Sequence, residues 1–286
     1  MVTVRGVSET STTVGDRARI AIRDSGMAQR EVCRRIGLDE SKMSKSLSGT
    51  RRFAADELVR LATVAGVTVD WLMTGGTGAA EVPADLLPAR HDESAEQALA
   101  RRTIVEKAWW LFAEHGYDGV RIADIAEAAD VSSASIHYYF DGKRAIFGEV
   151  LRYSVKLAFD RQQAQLHSID DPVQRLRRLI RLQLPVGRQG RAEWAIWLQV
   201  WTTITVTGDG QGEHVGSYRR WWNTVRDIVD DGRERGVFYD EPLDDVVDAL
   251  TAFIDGLGIR VLTGMLTGEE MADQVDAYID RNLTVD

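Results

Sequence analysis

The stretch from Arg121 to Lys143, with the sequence RIADIAEAADVSSASIHYYFDGK, constrains the fold of this chain more than any other. Its first part repeats apolar residues at helical spacing and predicts a short helix with one buried face. Asp130 then stands at a turn, where a short polar side chain tolerates left-handed dihedral angles. Ser132 is placed to cap a second helix over residues 133–139. Two short helices joined by a tight turn, the second lined with polar groups, are typical of a helix-turn-helix DNA-binding motif.

The wider segment 104–151 resembles the DNA-binding domain of the TetR family of repressors. The residues that carry the resemblance are Phe112, Gly116-Tyr117, Ile125-Ala126, Val131-Ser132, Tyr139-Phe140 and Lys143. Two positions depart from the family pattern, because Val120 stands where the family has a capping Thr and Asp130 where it has a turn Gly. The resemblance implies a compact three-helix domain over residues 96–150, whose first helix starts near Ser94.

Residue type and family position together select the side chains expected to contact DNA from this domain. They are Arg121, Ser133, Ser135, His137, Tyr138, Tyr139 and Lys143. Ser133, Ser135 and His137 are expected to face the major groove, and His137 to contact a base or a phosphate. Tyr139 could bind phosphate or brace the core through its ring. Lys143 is expected to bind phosphate, helped by the N-terminal amides of its helix.

Residues 13–74 contain a second helical pattern, which predicts five short helices around a common core. The breaks between these helices are Gly26, Gly37, Gly49 and Gly66. The predicted core residues are Val32, Cys33, Ile36, Met43, Leu47, Leu58, Leu61, Ala62, Val67 and Leu72. Asp39 is expected to cap a helix that starts at Glu40.

This segment resembles the Cro/CI-type (XRE) helix-turn-helix of phage repressors, through Gln29, Gly37, Gly49 and the GVTVDWL run at 66–72. The candidate DNA contacts that the resemblance implies are Gln29, Glu40, Ser41, Lys42, Lys45, Arg51 and Arg52. Gln29 falls where that family binds a phosphate, and Glu40, Ser41 and Lys45 fall where it contacts base edges. Alternatively, the basic members Lys42, Arg51 and Arg52 are solvated surface charges.

The net charge of −9 is unevenly distributed along the chain. Residues 13–75 carry 11 basic and 8 acidic side chains, and residues 96–155 carry 7 and 9. Residues 156–286 carry 15 basic and 22 acidic side chains. The acid is therefore concentrated in the C-terminal half, as expected if that half does not touch phosphate.

Composition excludes several other classes of protein. A single cysteine, Cys33, rules out an internal disulfide and fits a reducing cytoplasm. The five histidines have no partners at metal-ligand spacing, and no apolar run approaches the length of a membrane span. We therefore expect a cytoplasmic protein that needs no metal or cofactor. Residues 1–12 are expected to form a flexible tail, and the Gly- and Pro-containing residues 75–95 a linker.

Residues 151–286 predict six further helices, with breaks at Pro172, Pro185, 208–212, Gly236, Pro242 and Gly268. In this order they resemble the effector-binding and dimerisation domain of TetR-family proteins. The resemblance implies a homodimer formed by the helices at about 213–236 and 244–265. The small residues Gly256 and Gly258 are expected to let the backbones of two subunits approach closely.

Trp194, Trp197 and Trp201 lie at i, i+3 and i+7, on one face of one predicted helix. Two interpretations remain open. Such a stripe can serve core or dimer packing. It can also form the wall of an effector cavity, since aromatic-lined concavities in helical bundles bind small molecules. The residues proposed to complete that cavity are Tyr153, Phe159, Trp222, Phe253 and Asp255. An aromatic cage beside the Asp255 carboxylate would favour a cationic ligand.

The patterns together predict an all-α, homodimeric, ligand-responsive transcriptional regulator, of repressor type, with two helix-turn-helix domains per subunit that bind double-stranded operator DNA. No Gly-rich phosphate loop, nucleophile elbow or paired catalytic His and Cys is present, so an enzyme is not expected. In one alternative, only one of the two domains binds DNA and the other contacts protein. In another, the chain is an interaction protein without DNA binding.

Overall fold

The computed structural model of this chain describes residues 13–75, 94–208 and 211–285, apart from the side chains of 211–214. The predicted tail and most of the predicted linker lie outside these described residues. Within the described ranges every regular element is a helix, and there are fourteen. One isolated β-bridge joins Phe238 to Thr284. The chain divides into two compact units, Met1–Leu99 and Ala100–Asp286.

The N-terminal unit contains the five predicted short helices. They are α1 (Val14–Asp24), α2 (Gln29–Ile36), α3 (Glu40–Leu47), α4 (Ala55–Ala65) and α5 (Val69–Thr74). All four predicted glycine breaks have positive φ, between 64° and 77°, which an L side chain adopts only at a cost. Asp39 caps α3 by accepting the backbone N–H groups of Ser41 and Lys42. All the predicted core residues are buried except Val67, which is half-buried. Val69, which was not predicted, is fully buried.

The C-terminal unit is built from the remaining helices. They are α6 (Ala95–Gly119), α7 (Ile122–Ala128), α8 (Ser133–Tyr139), α9 (Lys143–Leu166), α10 (Pro172–Gln183), α11 (Gly187–Thr207), α12 (Gln211–Glu234), α13 (Leu243–Leu262) and α14 (Gly268–Asn282). The boundary between the two units falls within α6. This helix is capped at its start, because the Ser94 Oγ accepts the Gln97 backbone N–H and the Gln97 Oε1 accepts the Ser94 backbone N–H. Gly116 interrupts α6 with a φ of 73°.

The helix-turn-helix forms as the sequence predicts. Asp130 has a φ of 55° and is the only non-glycine residue with positive φ among the described residues. Ser132 caps α8, because its Oγ accepts the backbone N–H of Ser135 at 3.0 Å. The N-cap of α7 is Arg121 and not, as the family resemblance suggested, Val120, and the Asp124 carboxylate accepts the Arg121 backbone N–H at 2.7 Å. Val120 itself is buried and contributes to the core.

Helix α9 is continuous across the predicted boundary at 150/151 between the DNA-binding and effector-binding domains. It begins directly after the α8 segment and extends for 24 residues. Its first part therefore belongs to the helix-turn-helix domain and its second part to the C-terminal bundle. The core of that bundle is formed by α10, α12, α13 and α14, around Leu176, Val225, Val247 and Met271.

Candidate functional site

The outer surface of α8 is the candidate recognition surface of the C-terminal unit. Ser133 and His137 are exposed, Tyr138 is 70% exposed, and Ser135 is half-buried with its Oγ 2.9 Å from that of Ser132. The opposite face of α8 buries Ile136 completely. The structure therefore exposes Ser133, His137 and Tyr138 on α8, whereas Ser135 lies beside the Ser132 cap.

Two predicted phosphate contacts have structural roles in this unit. The Lys143 Nζ donates hydrogen bonds to the carbonyl oxygens of Tyr117 at 2.9 Å and Val120 at 3.1 Å, and it lies over the Tyr117 ring. These carbonyls follow the break at the end of α6, where helix carbonyls need donors. The Tyr139 carbonyl accepts a hydrogen bond from the buried Arg101, whose guanidinium lies 5.6 Å from the Tyr139 ring centre, which supports the bracing alternative. The Arg121 side chain is 81% exposed and forms an ion pair with Asp124 at 2.9 Å.

The outer face of α3 is the candidate recognition surface of the N-terminal unit. The exposed residues on or beside it are Gln29, Glu40, Ser41, Lys42, Lys45 and Arg52. Arg51 differs from the others, because it forms a bidentate ion pair with the buried Glu57, with N–O distances of 2.6 and 2.7 Å. The hydrogen bonds from Arg51 lower the pKa of the Glu57 carboxyl. Arg51 thus fixes the connection between α3 and α4, and DNA binding would be a second role.

A cavity of about 80 Å³ lies between α9, the end of α10, α11, α12 and α13 of the C-terminal unit. A single water molecule needs only about 10–15 Å³ on this measure, so the cavity has room for a small ligand. Its aromatic lining residues are Phe159, Trp194, Trp197, Trp201, Tyr218 and Trp221. Its other lining residues are Val155, Ala158, Gln162, Gln183, Ser217, Arg220, Thr224, Ile254 and Asp255. The tryptophan stripe of α11 therefore lines this cavity.

Three of the residues proposed for the cavity lie elsewhere. The Trp222 indole packs in the core and donates to Asp248 at 2.6 Å. Phe253 stacks on Tyr278, with ring centres 4.9 Å apart. Tyr153 lies edge-on to the Trp109 ring, 6.0 Å away.

The error at Trp222 is a helix register error of one residue. Trp222, Val225 and Val229 form an apolar i, i+3, i+7 stripe that faces the core, which turns Trp221 toward the cavity. The sequence contains this signal. Tyr218 and Gln162, which line the cavity, were not predicted, because a tyrosine or glutamine alone carries no distinguishing pattern.

Asp255 is the acidic group of the cavity. The Tyr218 hydroxyl donates a hydrogen bond to its Oδ2 at 2.6 Å. Burial raises the pKa of the Asp255 carboxyl, and the Tyr218 hydrogen bond offsets part of that shift. Burial and the neighbouring carboxylate also raise the pKa of Tyr218, which keeps the phenol protonated as a donor. A half-buried carboxylate beside several aromatic side chains is suited to stabilise a cation.

Buried contacts fix the walls of this cavity. Arg161 on α9 and Glu193 on α11 form a bidentate ion pair with N–O distances of 2.6 and 2.7 Å. The Trp194 Nε1 donates to the Gln183 carbonyl at 2.7 Å. The Trp194 ring also fills the space above Gly258, where an added Cβ would lie 1.9 Å from the ring. Gly258 therefore accommodates a tryptophan of its own subunit, which corrects the prediction that it serves subunit contact.

Replacing Gly258 with Ala is expected to displace the Trp194 ring, weaken ligand binding and lower the free energy of unfolding by about 1–3 kcal/mol, as overpacking does. Gly148→Ala, in the exposed part of α9, is the matched control, because nothing lies within 4 Å of its added Cβ. Thermal unfolding and tryptophan fluorescence titration measure both effects. Equal behaviour of the two variants would contradict the assigned role of Gly258.

The described residues exclude some other kinds of site. None of the helices within them is both long and apolar enough to cross a bilayer. No group of three or more His, Cys, Asp or Glu side chains in the described ranges could hold a metal ion.

Comparison with known proteins identifies the family. The model of bacterial regulatory proteins of the tetR family matches residues 104–150, and the model of the C-terminal domain of BetI-type transcriptional repressors matches residues 172–284. A transcriptional regulator from Saccharomonospora viridis, solved in complex with choline, is 44% identical with a TM-score of 0.63. That alignment covers 66% of this chain and 100% of the other. The chain belongs to the TetR family of DNA-binding transcriptional repressors, which are not enzymes.

Other relatives match more distantly or over shorter stretches. A TetR regulator from Haloarcula marismortui, 22% identical with a TM-score of 0.59, shares the fold over 65% of this chain and 100% of its own. The biofilm operon regulator IcaR of Staphylococcus aureus is 42% identical over 57 residues, which are 20% of this chain and 28% of IcaR. The repressor DhaR of Mycobacterium sp. strain GP1 is 28% identical over 133 residues, 45% of this chain and 55% of DhaR. Residues 13–75 lie outside both family-model matches.

Proposed function

We propose that this chain is a homodimeric transcriptional repressor that is released from its operator by a quaternary ammonium compound of the choline class. The observation that carries this proposal is the cavity lined by six aromatic side chains together with the Asp255 carboxylate. Four tryptophans, one phenylalanine and one tyrosine line it. A cation over an aromatic face gains about 0.5–2 kcal/mol per contact, most with tryptophan and when desolvated.

The aromatic rings of this cavity and the Asp255 carboxylate support a permanently charged ammonium group as the head of the ligand. A trimethylammonium head carries no N–H donor, so it needs aromatic faces and a nearby negative charge but no hydrogen-bond acceptors. The choline complex of the Saccharomonospora regulator and the BetI-type C-terminal match support the same ligand class.

Operator binding is assigned to α8 and its surroundings. Ser133 and His137 are expected to contact base edges, and Tyr138 a phosphate. The first amides of α9 add a phosphate site, since the N-terminus of a helix favours an anion. Lys143 holds this helix end in place through its bonds to the α6–α7 connection, and one remaining donor can reach DNA.

Dimerisation is assigned to α12 and α13. One exposed stripe of α13 consists of Asp245, Ala249, Ala252, Gly256 and Ile259, spaced at i, i+4, i+7, i+11 and i+14. Ile259 is 40% exposed in the single subunit, and Gly256 faces open space. Small residues along such a stripe allow two helices to approach closely. Sedimentation equilibrium of the purified chain should give twice the mass of one subunit.

The N-terminal unit is proposed as a second, Cro/CI-like DNA-binding domain. Its support is the five-helix order, the capped α3 with an exposed polar face, and the excess of basic residues in this segment. It would bind DNA beside the main operator and raise affinity through effective concentration.

Helix α11 is proposed to couple effector binding to DNA binding. One face of α11 carries the three cavity tryptophans. From other positions on α11, Gln199 donates to the Phe112 carbonyl at 3.0 Å, and Arg188 pairs with Glu114 at 2.7 Å. Both partners lie near the end of α6, beside the helix-turn-helix. A ligand that moves α11 therefore moves the DNA-binding domain, and the two domains of the dimer no longer match half-sites about one helical turn apart.

Selection of genomic fragments with the purified chain tests this function. The selected fragments should show a salt-dependent shift in a gel, and choline should release them. The neutral isostere 3,3-dimethylbutan-1-ol is the matched control, because it keeps the shape and hydroxyl of choline but lacks the charge. Absence of salt-dependent DNA binding would instead favour an interaction protein.

A further inference from the structure

The cavity has polar lining groups to which a simple tetraalkylammonium ion could not form hydrogen bonds. On α9 its lining residues are Val155, Ala158, Phe159 and Gln162, at i, i+3, i+4 and i+7. This spacing places all four on one face of the helix, directed at the cavity. Gln162 is the polar member of this face.

The side chain of Gln162 is buried but lacks a hydrogen-bond partner within the described residues. Its residue is 6% exposed, and its amide makes no hydrogen bond to any part of the chain that the structure describes. Other glutamines of this unit are engaged. Gln199 donates to two carbonyls, Gln189 donates to Glu193, and Gln165 accepts from Arg178. A buried amide left without a partner costs free energy, so a ligand or a water must supply the missing bonds.

Gln183 adds a second amide to the same cavity. It is the last residue of α10, and its carbonyl oxygen accepts the Trp194 indole N–H at 2.7 Å. That bond fixes the Gln183 backbone, while its side-chain amide makes no hydrogen bond within the described ranges. Two amides in a cavity that is also lined by six aromatic rings and the Asp255 carboxylate indicate a ligand with a hydrogen-bonding group as well as a charge.

We propose that Gln162 binds an oxygen atom on the arm of the ligand, so that the effector is a quaternary ammonium compound that carries a hydroxyl or a carboxylate. This inference rests on the proposed function, because it assumes an ammonium head among the tryptophans. The amide N–H can donate to either kind of oxygen, and the amide oxygen can also accept from a hydroxyl. Gln162 then determines specificity against simple tetraalkylammonium ions.

A ligand without this oxygen leaves the Gln162 amide buried and unpaired. Sites built to bind a ligand hydroxyl reject analogues that lack it, because the polar groups of the site then lose their partner. The expected preference for an oxygen-bearing ligand is roughly 10- to 100-fold.

Tryptophan fluorescence titration of the full chain tests this inference. The probes are choline, glycine betaine and propyltrimethylammonium, which replaces the choline hydroxyl with a methyl group. The wild-type chain should bind choline or glycine betaine roughly 10- to 100-fold more tightly than propyltrimethylammonium. In Gln162→Met that preference should disappear, mainly through weaker binding of the oxygen-bearing ligand. Gln163→Met is the matched control, because the neighbouring half-buried glutamine does not line the cavity, and it should keep the preference.

A second variant separates the two kinds of oxygen and provides a test if Gln162→Met does not fold. Gln162→Glu keeps the shape but adds an acceptor charge, so a hydroxyl should still bind while a carboxylate should be repelled. Equal wild-type affinities for choline, glycine betaine and propyltrimethylammonium, or a preference retained in both Gln162 variants, would overturn the inference alone. Failure of all three probes to bind would overturn the effector class as well.

Discussion

Replacing Asp255 with Asn is expected to weaken choline binding by roughly 30- to 100-fold, because the ammonium group loses the counter-charge of the half-buried carboxylate. Asn keeps an oxygen that can accept the Tyr218 hydrogen bond, so the shape of the cavity should persist. Burial raises the pKa of Asp255, which means that its ionised form costs stability in the absence of ligand. The variant should therefore unfold at the same temperature as the wild type or a higher one. Isothermal titration and thermal unfolding measure the two effects.

Asp248→Asn is the matched control for Asp255→Asn. Asp248 lies on the same helix and bonds the Trp222 indole, but it does not line the cavity. Its replacement should leave choline affinity unchanged. Because the ammonium favours the ionised carboxylate, affinity in the wild type should also fall as the pH is lowered through the raised pKa of Asp255. Choline binding by Asp255→Asn at wild-type strength would contradict the assigned role of this residue.

Removing the N-terminal unit is expected to weaken binding to an extended operator by about 100-fold or more, since linked binding modules gain roughly 10²- to 10⁴-fold in avidity. A fragment of residues 94–286 keeps Ser94 and Gln97, which cap α6. The Saccharomonospora regulator, matched over its whole length by 66% of this chain, indicates that such a fragment folds. Footprinting should show a shorter protected region, and the salt dependence of binding should become less steep.

Two controls define what the N-terminal unit contributes. A short operator with only the central half-sites should bind the fragment and the full chain equally. In the full chain, the combined substitutions Lys42→Ala and Lys45→Ala should reproduce part of the loss, because both side chains are exposed on α3. Arg51 is unsuited to this test, since its ion pair with Glu57 stabilises the fold. Equal footprints and equal salt slopes would assign the unit to protein contact.

The sequence predicted the local features that depend on backbone chemistry. The left-handed Asp130, the Ser132 and Asp39 caps and the four glycine breaks all follow from the conformational preferences of single residues. The six helices of the C-terminal half likewise follow from periodicity. These features are encoded within a few residues of each other, so one sequence is sufficient to predict them.

Features that depend on tertiary packing were harder to predict. The hydrogen bonds of Lys143 join positions 23 and 26 residues apart in the chain, so its charge and its family position predicted only a phosphate contact. Gly258 was predicted to serve subunit contact, but the ring of Trp194, which lies 64 positions earlier in the chain, packs against it. An aromatic cavity was predicted, but the prediction named Trp222 as a lining residue, whereas the neighbouring Trp221 lines the cavity. In each case the deciding neighbour lies on another helix.

Helix α9 is one continuous helix that begins in the DNA-binding domain and forms one wall of the cavity further along. From Gln162 to Lys143 it spans 19 residues, or about 28 Å at a rise of about 1.5 Å per residue. A tilt of only about 7° around the cavity end displaces the far end by about 3.4 Å, which is the rise of one base pair along a DNA strand. A ligand that tilts α9 by this angle would thus move the helix-turn-helix of its own subunit by about one nucleotide step.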